Sequence, residues 1–206
     1  MQSKFINFFF ILFFSLFARF TSAEITVEEL IFDDAKPFHL KILDVLPKEA
    51  IIQIGSDNSE NTIIEFMDYF CGYCKKIQPE LIELANERDD VRVVFLQYPI
   101  LNDASFVISK MVIAANYQNK GLELHNAIFS SSGSLTQEKL NKAILESGVN
   151  ETKLRIDMGK EELEKILHLS SFIAGGVGAR GTPALFVNEN FSPGYMPKNR
   201  IISLLK

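Results

Sequence analysis

Cys71 and Cys74 are the whole thiol content of the 206-residue chain, and only Gly72 and Tyr73 separate them. A pair this close can be a redox dithiol, a structural bridge or part of a metal site, and each use makes its own demands. A structural disulfide gains stability by closing a long loop of the unfolded chain, which cysteines two residues apart cannot do. Zinc asks for about four ligands, and beyond the thiols only His39, His125 and His168 are on offer, scattered along the chain. Soft Cu(I) would accept two thiolates. Dithiol–disulfide exchange needs only what is present: one thiolate to attack a disulfide, and a second thiol close enough to resolve the mixed disulfide that results.

The compartment bears on that choice. Residues 1–23 have the pattern of a cleaved secretory leader, with Lys4 as the positive n-region, apolar Phe8 to Ala18, and small Thr21-Ser22-Ala23 ahead of Glu24. The apolar run is short for a membrane anchor and is broken by Arg19. A mature chain beginning near Glu24 in an oxidising compartment, the periplasm, is therefore expected, where redox use of the pair leads. Loss of Lys4 and Arg19 with the leader leaves 19 basic against 26 acidic residues and takes the formal charge from −5 to −7. That balance lacks the basic surface that a nucleic-acid partner needs. With 47% hydrophobic and 23% charged residues, one main globular domain is expected.

The pair must be positioned by its neighbours. Thr62-Ile63-Ile64-Glu65-Phe66-Met67 is the near-continuous apolar run of a central strand covered on both faces, and it leads straight into the motif. Behind it, Ile77, Leu81, Leu84 and Ala85 line one face of an amphipathic helix over Cys74–Glu87, with Pro79 expected to kink it. The first turn of that helix offers unpaired N–H groups and the positive end of its dipole. Cys71 should therefore ionise more readily than a free cysteine and act as the nucleophile, with Cys74 as the resolving thiol. Val91–Tyr98 is a second strand, and strand–helix–strand implies a parallel pair with a right-handed crossover.

Residues 103 to about 170 follow helical spacing throughout, as in Phe106/Val107/Met111/Ala114, Leu122/His125/Phe129, Leu140/Ile144 and Leu154/Met158/Leu163/Ile166. This is a helical insertion of about four helices. Ala184–Val187 is a further strand, Pro193-Gly194 a candidate hairpin turn, and Asn199–Leu205 a short closing helix. Residues 24–58 form an expected N-terminal oligomerisation element and linker, leaving 59–206 as the catalytic domain. Thr26 and Glu29 have capping-box spacing and Val27, Leu30 and Ile31 share a helix face. Phe38, Ile42, Val45 and Leu46 continue that spacing, although Phe38, Leu40 and Ile42 also alternate as a strand does. Gly176-Val177-Gly178-Ala179-Arg180-Gly181 matches a dinucleotide-binding string by letter, but a helix precedes it and a strand follows, the reverse of the required context. No cofactor is expected. His125 and His168 fall on helix faces among apolar neighbours and read as structural.

Strand, C-x-x-C, helix, helical insertion and Gly181-Thr182-Pro183 before a strand together resemble the DsbA-like branch of the thioredoxin superfamily. The likeness covers roughly residues 60–206 and is tightest in Glu65-Phe66-Met67-Asp68-Tyr69-Phe70-Cys71-Gly72-Tyr73-Cys74-Lys75. Within that branch the phrase is similar to the suppressor-of-copper-sensitivity C and Com1-like exported proteins. The resemblance implies an α/β thioredoxin fold and an exported thiol:disulfide oxidoreductase. It implies substrates that are cysteine-containing secreted or envelope proteins, and a membrane redox partner that resets the pair.

Residue by residue, the resemblance implies a cis bond at Pro183, facing the cysteines, with the Thr182 backbone free to pair with an extended substrate. An ordinary trans turn proline is the alternative. It also implies that Glu65 is a buried acid relaying the proton of Cys74, against a strand-edge carboxylate facing water. Gly72-Tyr73 departs from the strongly oxidising relatives, which carry histidine before the second cysteine, so an extreme potential is not implied. Thr182 before Pro183 and the N-terminal element resemble isomerases and copper-sensitivity relatives, which favours disulfide isomerase, with dithiol oxidase as the alternative. A copper-binding or holdase module comes third, since it has no use for Thr182-Pro183. Val27, Leu30, Ile31, Phe38 and Ile42 would form an exposed apolar stripe unless covered, and a homo-oligomer, a trimer first, is the expected cover.

Overall fold

The computed structural model describes residues 35–206; the leader at 1–23 and the helix start at Thr26–Ile31 lie outside the described residues. Every side chain of Asn61–Met67 and of Val91–Gln97 is buried, which strands achieve only in the middle of a sheet covered on both faces. The five strands are β1 (Ile52–Ile54), β2 (Asn61–Met67), β3 (Val91–Gln97), β4 (Ala184–Val187) and β5 (Asn190–Ser192), in the spatial order β1-β3-β2-β4-β5. β2 and β3 are parallel, joined through the helix that follows the cysteine motif, and Glu65 stands opposite Phe95 on one side and Leu185 on the other. β1 and β4 are antiparallel to the central pair.

Residues 36–206 form one compact unit, and this corrects the expected division at residue 58. Phe38–Val45 is a helix, α1, that buries His39 and Ile42, so the ambiguity between helix and strand resolves toward the 3.6-residue period. Ile42, Leu46, Ala50 and Ile52 all enter the core, and β1 pairs from Ile52 opposite Phe95 to Ile54 opposite Val93. The stretch from Lys36 on is thus part of the domain rather than a linker, and Ile42 is not part of an exposed stripe. Phe38 stays 57% exposed. Gly55 ends β1 at φ +92°, where a Cβ would lie 2.4 Å from the Val91 carbonyl oxygen, so only glycine turns the chain here.

After α2 (Gly72–Glu87), which continues through Pro79, and β3, the insertion contains α3 (Asp103–Asn116), α4 (Gly121–Ser130), α5 (Gln137–Ser147), α6 (Glu151–Met158) and α7 (Glu161–Gly176). That is five helices where about four were expected. The single run expected over Leu154–Ile166 breaks at Gly159-Lys160, where buried Asp157 takes the ammonium groups of both Lys153 and Lys160. Asn102, Thr136 and Asn150 cap α3, α5 and α6 by accepting from the backbone N–H three residues on.

The hairpin between β4 and β5 turns at Asn188-Glu189 and not at Pro193-Gly194. Asn188 adopts φ +52°, a conformation that asparagine tolerates, and its side chain bonds the Thr62 N–H and the Asn61 amide. The closing helix, α8, covers Lys198–Ile202.

Candidate functional site

β2 delivers the chain to a tight turn at Asp68-Tyr69-Phe70, and the Cys71 N–H closes it on the Asp68 carbonyl at 3.0 Å. Cys71 is then the N-cap of α2, its sulfur accepting the Cys74 N–H at 3.4 Å. Across the turn, the Cys71 thiol meets the Thr182 carbonyl oxygen at 3.1 Å, and the Thr182–Pro183 bond is cis. Both thiols are free. Cys71 is 8% exposed and Cys74 wholly buried, so of the two sulfurs only one can meet a substrate.

The proton affinities of the pair are pushed apart. The hydrogen bond from the Cys74 thiol does most to bring Cys71 down to about 5, with the side chain of Thr182, as distinct from its carbonyl, and the N–H groups of Cys74 and Tyr73 helping against the opposing effect of burial. Burial pushes Cys74 strongly upward, and its bond to Cys71 and the charge of Glu65 push the same way. At neutral pH Cys71 is a thiolate and Cys74 a thiol, the asymmetry that attack followed by resolution requires.

Glu65 is buried in the middle of the sheet, where its carboxyl and the Cys74 thiol influence one another's ionisation. The water-facing alternative for this residue is excluded. Burial raises its carboxyl to about 8, the bond to Cys74 opposes that rise, and the Cys71 charge adds to it. The structure therefore brings Cys71, Cys74, Glu65, Thr182 and Pro183 to one place. Gly72 and Tyr73 form the first turn of α2, with Tyr73 59% exposed and its ring 5.5 Å from Tyr195.

Asp68, given no role in the sequence reading, is fully buried and holds the turn together. Oδ1 accepts the Phe70 N–H at 2.8 Å and the Ser105 hydroxyl at 2.9 Å, while Oδ2 accepts the Ile100 and Leu101 N–H groups at 2.9 and 3.0 Å. The signal was there: aspartate bonds readily to the backbone two residues on, and a turn packed against a sheet leaves such donors to satisfy.

Lys75, to which the sequence assigned no role, donates its ammonium to the carbonyl oxygens of Ser131 and Gly133. His125 is buried against Phe95, with ring centroids 4.3 Å apart, and its Nδ1 lies 3.0 Å from the Tyr69 hydroxyl. Burial lowers its pKa to about 3, so it packs as a neutral ring. Among the described residues no three or more His, Cys, Asp or Glu side chains gather as a metal site, and no helix is long and apolar enough to cross a membrane.

The DSBA-like thioredoxin domain family matches residues 62–203. A thioredoxin-like oxidoreductase from Silicibacter pomeroyi DSS-3 superposes with a TM-score of 0.70 at 26% identity, over 75% of this chain and 90% of that one. The catalytic domain of Proteus mirabilis ScsC gives 0.66 at 22% over 76% and 87%, and the thiol-disulfide exchange protein alpha-DsbA2 from Wolbachia pipientis gives 0.68 at 23% over 85% and 88%. Among curated proteins, 159 residues are 24% identical to the Na(+)/H(+) antiporter NhaA 1 of Mycolicibacterium gilvum (strain PYR-GCK). That match covers 74% of this chain, which spans about a quarter (26%) of that relative's length. With 142 consecutive residues matched, the redox turn, the cis-proline segment and the insertion between them included, the chain belongs to the DSBA-like thioredoxin family of thiol–disulfide oxidoreductases.

Proposed function

We propose that this chain is an exported enzyme that attacks disulfides of secreted or envelope proteins with Cys71 and resolves the mixed disulfide with Cys74. The opposed shifts of the two thiols carry this reading. The Cys71 thiolate attacks one substrate sulfur, the substrate S–S bond breaks, and the departing sulfur leaves as a thiolate. Forming the mixed disulfide removes the Cys71 charge that had helped hold the proton on Glu65. Glu65 can then pass its proton out toward the departed substrate thiolate and take the proton of Cys74 in its place. The Cys74 thiolate attacks the Cys71 sulfur, the pair ends oxidised as a disulfide, and the substrate leaves reduced. Run backwards, the same steps oxidise a substrate dithiol.

Cys71→Ala is expected to abolish exchange, and Cys74→Ala to accumulate substrate joined to Cys71, visible as an adduct by mass spectrometry. Alkylation of the reduced wild type should begin at Cys71; faster labelling of Cys74 would reverse the roles.

Isomerase is the favoured direction. A Cys71 ionised near pH 5 is a good leaving group as well as an attacking group, which suits repeated attack and release on a misfolded chain. The family pattern at Thr182 points the same way. The depressed Cys71 pKa also supports dithiol oxidase as a second reading, because stabilising the thiolate stabilises the reduced pair and makes the oxidised pair a stronger oxidant. Refolding of scrambled ribonuclease against oxidation of reduced ribonuclease separates the two. Assembly into a homo-oligomer, a trimer first, rests on Val27, Leu30 and Ile31, with exposed Phe38 the described residue that continues the stripe.

A further inference from the structure

A cavity of about 340 Å³ opens beside Cys71 on the side of the helical insertion, and no residue of the 181–183 segment lines it. Its floor is apolar: Ile128 and Phe129 of α4 and Tyr69 of the redox turn, all buried. Leu135 and the half-open Phe70 form walls. The remaining wall is the loop between α4 and α5, and two lysines hold it in place. Lys75, one residue past Cys74, donates to the carbonyls of Ser131 and Gly133, while Lys139 donates to those of Ser132 at 2.6 Å and Ser134 at 2.9 Å. Each of these loop carbonyls already accepts from a lysine.

A substrate joined to Cys71 has its cysteine at the mouth of this cavity, and its neighbouring residues follow at about 3.8 Å per step. The volume lies at the low end of small-ligand pockets, which run from about 300 Å³ upward, so it holds one large side chain rather than a longer segment. We infer that this cavity takes an apolar side chain, leucine or larger, standing next to the cysteine that Cys71 attacks, and that Lys75 is a positioning residue for its wall. The cavity thereby selects substrates by the neighbour of their cysteine, a selection separate from any backbone pairing at Thr182. This rests on the exchange reaction proposed above.

Short peptides with one cysteine as a mixed disulfide with glutathione, carrying leucine or alanine at the first or second position on either side, test it. The second-order rate of each with reduced full-length protein is the readout, and the leucine-to-alanine ratio is the internal reference. Wild type should favour leucine by about tenfold at one position at least, as expected for filling an apolar pocket. Ser134→Trp, which obstructs the mouth from an exposed position, and Leu135→Asp, which places a charge in the wall, should each bring that ratio to about one. Lys75→Met should lower it while leaving the pH midpoint of Cys71 alkylation where it is in the wild type. Equal wild-type rates on leucine and alanine peptides, or a ratio that survives in Ser134→Trp, would overturn the cavity. A wild type that exchanges with no peptide at all would instead sink the proposed reaction.

Discussion

Glu65 carries its proton to about pH 8, far above an ordinary glutamate near 4.5, because it is buried. Between those values the folded reduced protein keeps a proton that the unfolded chain has lost, so this residue's contribution to stability falls as pH rises from about 4.5 to about 8 and is level outside that window. Cys71 works in the opposite sense between about 5 and 9, and it is present in both members of a wild-type and Glu65→Gln pair. Urea unfolding of the two reduced proteins at pH 5 and pH 8 should show the wild type losing ground to the variant across the interval. Turnover of Glu65→Gln should be slower because the relay for Cys74 is gone; stabilities that move in parallel with pH, or an unchanged rate, would return Glu65 to a packing role. At this scale the sequence was most readable where chemistry is local. Cys71 and Cys74 announce themselves by type and spacing, whereas the importance of Asp68 depends on Ile100, Leu101 and Ser105, more than thirty residues away.

That carboxylate joins elements as much as it serves its own turn. By bonding the redox turn, the loop after β3 and the first turn of α3, Asp68 holds three pieces of chain at one end of the sheet. Asp68→Ala strands four donors together, and a single buried unsatisfied group costs about 1–3 kcal/mol. A loss on the order of 3 kcal/mol in urea unfolding is expected, and a loss under about 1 kcal/mol would show that the turn stands without it. Among the elements, β2, α2, β3 and β4 were legible because a fully apolar run or a clean 3.6-residue face leaves little choice. The five-residue step from Met158 to Leu163 marks the break between α6 and α7. The hairpin turn was misplaced because asparagine at positive φ is a weaker signal than Pro-Gly, although it met the backbone requirement. α1 and β1 were obscured for another reason: eight and three residues are too few for periodicity to decide, and pairing with β3 supplied the answer.

For the molecule as a whole, membership of residues 36–58 in the domain changes where the chain can be divided. A chain begun near Asn58 would lose β1 together with Ile42, Leu46 and Ala50 from the core, and its behaviour would report unfolding rather than assembly. A chain begun at Lys36 keeps them. If residues 24–34 drive self-association, light scattering should give a multiple of the monomer mass for the chain from Glu24 and a monomer for the chain from Lys36; a monomer from both would defeat the oligomer. The burial of Cys74 also reaches beyond the site itself. With one of the two sulfurs closed to solvent, protein substrates and whatever restores the pair must use the same single door, one after the other. Turnover then follows double-displacement kinetics, with parallel lines in reciprocal plots when both reactants are varied, and intersecting lines would reveal a second entrance to the redox pair.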